Sequence, residues 1–202
     1  GTGGSANGAD GGTGGASGSS AGGTAGTGTD AGGPPTRGAI SLHVAPGTGC
    51  SLANTFEDFP KLASGHPVSA TAKGEAVVDG GTTDEGPVSV RCDWWGDPTP
   101  MFDAVLKIGT AGAQRFVNLG ASMDPNKTID GGLVFSDDAL PASYGSTAEG
   151  PCHYDVISMD ATTRSVWGSV RCDTFSTSDG SDTCILAYSY FYFENCKIKT
   201  MP

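Results

Sequence analysis

The sequence predicts an all-β fold: an antiparallel β-sandwich of Greek-key or jelly-roll-like form, stapled by disulfides, behind a low-complexity glycine-rich N-terminal tail. Three observations predict it. About eight or nine short apolar runs alternate with period two, turn signals rich in Gly, Asp and Pro stand between them, and the six cysteines form an even set without any C-x-x-C spacing.

Residues 1–33 hold 15 glycines, no aromatic residue and no proline, and their only charges are Asp10 and Asp30. So little apolar surface cannot offset the entropy of ordering a chain. We read residues 1–37 as a tail or tether and residues 38–202 as the β-domain. The glycines fall in all three triplet phases, which excludes a collagen helix. "GTGTDA" at 26–31 fits the spacing of a dinucleotide fingerprint, but no strand precedes it and the match is false. The chain begins at glycine with no hydrophobic leader, which reads as a chain processed or trimmed from a longer precursor; any export signal or acylated cysteine would lie upstream.

After Pro34-Pro35 the pattern becomes period two. "AISLHVAP" sets Ile40, Leu42 and Val44 on one face and Ser41 and His43 on the other, as a half-buried strand requires. Further strands are expected at "GEAVVDG", "GPVSVRCDWW", "MFDAVLKIG", "QRFVNLG", "GLVFSDD", "HYDVISMD", "RSVWGSVRCDTF" and "CILAYSYFYFENC". The separating turns are expected at "DGG" (79–81), "GDPTP", "DPN", "DGG" again (130–132) and "SDGSD". Only "SLANTFEDFPKLAS" offers a helical face, a short one stopped by Pro60.

The five letters "SVRCD" occur twice, at 89–93 and at 169–173. In each copy the even-spaced set, Val88, Val90 and Cys92 or Val166, Gly168, Val170 and Cys172, is expected to point inward, with Ser and Arg outward. Each reads as a core strand ending in a disulfide-bonded cysteine. Two equivalent strands from an internal duplication and independent convergence both explain the repeat.

A net charge of −11 and scattered basic residues disfavour nucleic acid as a partner. The longest apolar run, "CILAYSYFYF", is too short for a membrane span. Cys50, Cys92, Cys152, Cys172, Cys184 and Cys196 read as structural disulfides, which places the chain outside the cytoplasm: at a cell surface, in a periplasm or secreted. Fifteen pairings are open. The Gly/Ser/Ala/Thr-rich leader before a cysteine-stapled β-body, with "SVWGSVRC" and a closing "SYFYFENC", resembles small bacterial surface lipoproteins, in which a glycine-rich tether follows a lipid-anchored cysteine. The lipobox cysteine of that family is not in this sequence. The resemblance implies an envelope or extracellular location and leaves activity open.

Catalysis finds little support in the residues. His43, His66 and His153 are far apart, and no H-x-H, H-E-x-x-H, G-x-S-x-G or P-loop pattern occurs. Pairs such as Asp137-Asp138 and Glu57-Asp58 are expected in an acidic chain. No cofactor is expected. "DPNKTIDGG" offers oxygen ligands at Asp124, Asn126, Thr128 and Asp130, a weak calcium candidate without the closing glutamate of an EF-hand, since Phe135 stands there; an ordinary turn competes with it. Asn126-Lys127-Thr128 is a glycosylation sequon.

Aromatic residues are the best functional lead. Trp94 and Trp95 are consecutive and face opposite sides of a strand, and Tyr188, Tyr190 and Tyr192 share a face opposite Phe191 and Phe193. The tyrosine face suits sugar stacking or a protein interface, and equally cross-strand packing under a loop. The expected function is a non-enzymatic envelope or surface module on a flexible tether, with a protein or glycan at the cell surface as partner. The alternatives are a filament subunit that contacts copies of itself through its N-terminal segment, and a carbohydrate-binding module.

Overall fold

The computed structural model describes residues 33–45, 50–52, 56–59, 67–95, 101–122, 129–146 and 151–199. The tail over 1–32, the "GTGTDA" match, His66, and Asp124 and Asn126 of the calcium candidate with the sequon lie outside them.

Among the described residues there is no helix, and each expected period-two run forms a strand or part of one. Two antiparallel hairpins give β5 (Gly86–Trp95), β6 (Met101–Thr110), β7 (Ala113–Ser122) and β8 (Ile129–Asp137). A second run gives β10 (Cys152–Asp160), β11 (Ser165–Thr177) and β12 (Thr183–Glu194), and β1 (Arg37–Ala45) pairs beside β12. The short elements are β2 (Phe56–Phe59), β3 (Val77–Val78), β4 (Thr82–Thr83), β9 (Tyr144–Gly145) and β13 (Lys197–Ile198).

The hydrogen-bonded order is β13-β5-β6-β7-β8-β10-β11-β12-β1-β2, with every pair antiparallel except β13 on β5. Neighbours in sequence are mostly neighbours in the sheet, which runs largely as a meander. The meander curls into a small barrel-like arrangement. β3 pairs with β1 through Arg37–Val78 and Gly38–Val77, while the turn behind it holds β5. Val90 N donates to Asp79 Oδ1 at 2.9 Å, Val88 N donates to Gly81 O at 2.9 Å, and Asp79 N donates to Thr36 O at 2.9 Å. Closure removes the open edges that a single sheet would otherwise present for aggregation.

The core lies inside this wall. Phe102 stacks on Phe191 with ring centroids 5.4 Å apart, and Tyr154 packs edge-on against both. Ile40, Leu42, Leu106, Ile108, Phe135, Phe175 and Phe193 fill the space around them.

All six cysteines are paired: Cys50 with Cys184, Cys92 with Cys196, and Cys152 with Cys172. Cys152 and Cys172 sit directly opposite on β10 and β11. Cys92–Cys196 fastens β5 to the residues that follow β12 and so locks the seam. On loop-closure entropy each bond contributes about 3 to 5 kcal/mol, without additivity, and the two that span 134 and 104 residues contribute most. Three disulfides mark an oxidising, extracytoplasmic environment. No helix of the described residues is long and apolar enough to cross a membrane.

Three local expectations need correction. Residues 56–59, inside the expected helical face, form β2 and pair antiparallel with β1. The second "DGG", Asp130-Gly131-Gly132, is no turn but the start of β8; a Cβ on Gly131 would stand 2.4 Å from Gly120 O and 2.8 Å from the Tyr154 ring, so glycine is there for close approach. Third, both "SVRCD" copies do point their valines and cysteines into the core, but neither strand ends at its cysteine. The copies hold unlike places, β5 at the seam and β11 between β10 and β12, and their cysteines bond to unrelated partners. The repeat follows a shared local requirement, an inward apolar set, and not a shared topological position. Ser169 differs from Ser89 in being buried, since the outer face of β11 is covered.

Candidate functional site

The two tryptophans separate as their alternation demands. Trp94 turns inward, packs against the core and lies opposite Phe102, while Trp95 turns outward opposite Met101. The tyrosine face is graded along β12. Tyr188 is 56% exposed, Tyr190 is half-buried and Tyr192 is only 7% exposed. Residues 67–76 cover its lower end: Val68 packs on Tyr192 and Ala39, Trp167 Nε1 donates to Ser69 O at 3.0 Å, and Lys73 Nζ stands 4.8 Å above the Tyr192 ring. Burial, reinforced by the Glu194 carboxylate that accepts from its hydroxyl, pushes the Tyr192 phenol up. Trp167, which the sequence reading passed over, stands directly opposite Tyr192 and completes this cluster. Tyr192 is therefore a packing residue, and the three tyrosines do not form one open platform.

The three tyrosines also do not meet the Trp94–Trp95 pair. β5 and β12 are not paired, and none of the three tyrosines lines the cleft at Trp95. That cleft, of about 440 Å³, is formed by Trp95, Met101, Phe102, Asp103, Gly120, Ala121, Ser122, Asp130 and Gly131. A second hollow of about 260 Å³ shares Asp103 and Gly120 with it and continues along the wall past Asn118, Gly132, Val134 and Ser146. Both lie in the volume range or at the lower margin of small-ligand sites.

Register builds this groove. Trp95 faces Met101, Asp103 faces Gly120, and Gly120 faces Gly132 across β5, β6, β7 and β8. Two glycines side by side on the outer face leave the floor without side chains. A Cβ added at Gly132 would meet only Ser146 Oγ, at 3.9 Å. From beneath, the Tyr154 hydroxyl donates to Gly132 O, which satisfies a buried phenol that desolvation holds in its neutral form. Two carboxylates flank the groove in fixed positions. Arg91 Nη2 lies 2.5 Å from Asp103 Oδ2, and His153 Nδ1 lies 2.6 Å from Asp130 Oδ1. Arg91 also reaches Asp93 Oδ2 at 3.5 Å, where Lys199 Nζ approaches to 2.5 Å. No protein-family model, curated protein or solved structure matches the chain.

The sites therefore stand on geometry alone. Asp130, the described member of the calcium candidate, is exposed and engaged with His153. Among the described residues, one group has metal-binding spacing, Cys50, Asp182 and Cys184. Its two sulfurs are bonded to each other and supply no thiolate. Asp182 instead ties the loop down: Ser51 N donates to Oδ2 at 2.9 Å and the Tyr144 hydroxyl at 2.6 Å. Hydrogen bonds from Ser51 and then Tyr144 hold its carboxyl below the usual range. The Asp179 carboxyl, which accepts from Thr177 and Ser181, is drawn down to about 2 in the neighbouring turn. Sequence reading found Trp95 and Asp130 but missed Met101, Asp103, Asn118, Gly120 and Gly132. The available signal was glycine inside strand patterns, in "VNLGAS" and "IDGGLV", where a strand pays in stability for a missing side chain.

Proposed function

We propose that the chain is an exported, non-enzymatic binding module of a cell envelope or surface, carried on its glycine-rich N-terminal segment as a tether. In this reading the barrel is flattened, so that opposed walls pack like those of a sandwich, and one wall presents the ligand groove. The observation that carries the reading is the pairing of all six cysteines in a small β-body, the construction of domains that must persist outside the cell. Support for binding comes from the concave groove at Trp95, which joins an aromatic side chain to fixed polar groups.

Limited proteolysis of the native protein with a broad-specificity protease, followed by intact mass, tests it. The tether reading expects rapid trimming to a stable fragment that begins close to Pro34, since Thr36 is buried and Pro35 O accepts from Asn195 Nδ2. Survival of the glycine-rich segment would sink the tether and turn attention to a polymer, in which neighbouring subunits order what its own composition cannot.

A further inference from the structure

We propose that the groove across β6, β7 and β8 is a binding site for a neutral oligosaccharide of at least two sugar rings, with Trp95 as its stacking platform; this rests on the binding-module reading above.

The groove has the two kinds of surface that a pyranose has. One face of a sugar ring is a sheet of C–H groups, which prefers a flat apolar partner; Trp95, with Met101 beside it, supplies that at one end. The rim of the ring is a set of hydroxyls, each needing a partner when it leaves water. Asp103, Asp130 and Ser122 stand beside the tryptophan, and Asn118 and Ser146 stand farther along.

Length and depth fit a chain better than a single ring. Met101 and Val105 are four residues apart on β6, about 13 Å at the strand rise, and their partners across the sheet are Ser122 and Asn118. The two hollows thus run along the strands and meet over the paired glycines Gly120 and Gly132. Any side chain at Gly132 would project into this channel, since nothing else approaches its Cβ position closer than 3.9 Å.

Charge decides against ionic ligands. Carboxylates on both flanks of a chain with a net charge of −11 repel uronate or phosphorylated sugars. A cationic ligand is disfavoured for a different reason. Asp103 is already paired with Arg91, so its charge is met within the chain and its remaining lone pairs are oriented to take hydrogen bonds from hydroxyls.

The full chain, with disulfides intact, should be screened on a glycan array of neutral hexose, pentose and N-acetylhexosamine chains. Hits would be titrated by calorimetry with wild type, Trp95→Ala and Gly132→Val, using oligogalacturonate and a lysine-rich peptide as charged probes. The proposal expects a neutral chain of two or more rings to bind. Its affinity should fall about tenfold or more in each variant, equivalent to about 1.4 kcal/mol or more, while both variants keep the wild-type melting profile. Gly132→Val keeps the tryptophan and the core, so a general folding defect would be seen separately in its melting curve. Silence across the neutral array overturns the proposal. So do equal affinity in both variants and binding of either charged probe as tight as that of the best neutral chain. Those outcomes leave the exported-module reading intact, because that reading is decided by the proteolysis result.

Discussion

At Tyr144 a buried phenol donates to Asp182 Oδ2 at 2.6 Å, and burial, with that carboxylate, pushes its pKa up to about 12 from 10.0. Folding therefore favours the protonated phenol. Its contribution is complete below pH 10 and is lost as pH rises from 10 to about 12, where the unfolded chain ionises first. Tyr144→Phe should cost about 1 kcal/mol at pH 7, and the gap should close across that alkaline window in denaturant titrations. Asp182 has the opposite sign: its depressed carboxyl supports the fold above pH 3.8 or so and loses that support as pH falls through its lower folded value. Because Tyr144→Phe removes one of the bonds that depress Asp182, its acid unfolding should show the shallower loss. Neighbouring glycines give a second contrast. Gly131→Ala places a Cβ against Gly120 O and the Tyr154 ring and should cost about 1–3 kcal/mol by overpacking, whereas Gly132→Ala points into open space and should cost nothing measurable. Thermal melts of the two variants separate an inward glycine from an outward one.

Strands were legible where a single face is buried. In β5, β6 and β7, inward residues alternate with partly exposed ones, and period two is visible in "VSVRC" and "FDAVL". Four of the short elements were not legible. β2, β4, β9 and β13 have two to four residues each and exist because a longer neighbour offers them hydrogen bonds, which is tertiary information. The cover over Tyr192 was not legible for a related reason: residues 67–76 carry no period-two signal, yet they cover Trp167 and Tyr192 on the outside of the barrel. Trp167→Ala removes both the indole and its bond to Ser69 O. It should release this strap, so that trypsin cuts after Lys73 many times faster than in wild type while the remaining barrel stays intact. An unchanged cleavage rate in a gel time course would show that the strap is held by something other than Trp167.

As a whole, the molecule is a meander that needs its seam closed. Backbone bonds at β3 and the turn at Asp79 join the two ends, and Cys92–Cys196 makes that junction covalent. The sequence implied disulfides and an oxidising compartment from cysteine number and spacing. It could not choose among fifteen pairings, because the choice depends on which strands become neighbours when the sheet curls. Replacing both Cys92 and Cys196 with Ser should lower stability by roughly 3–5 kcal/mol, a large share of the roughly 5–15 kcal/mol typical of a domain, and denaturant midpoints would read it directly. The closed, stapled barrel is tested most directly by mass mapping of a non-reduced digest. The barrel requires three linked peptide pairs, Cys50 with Cys184, Cys92 with Cys196 and Cys152 with Cys172, and no free thiol. A free Cys92 and Cys196, or either bonded to another partner, would contradict the seam and with it the barrel.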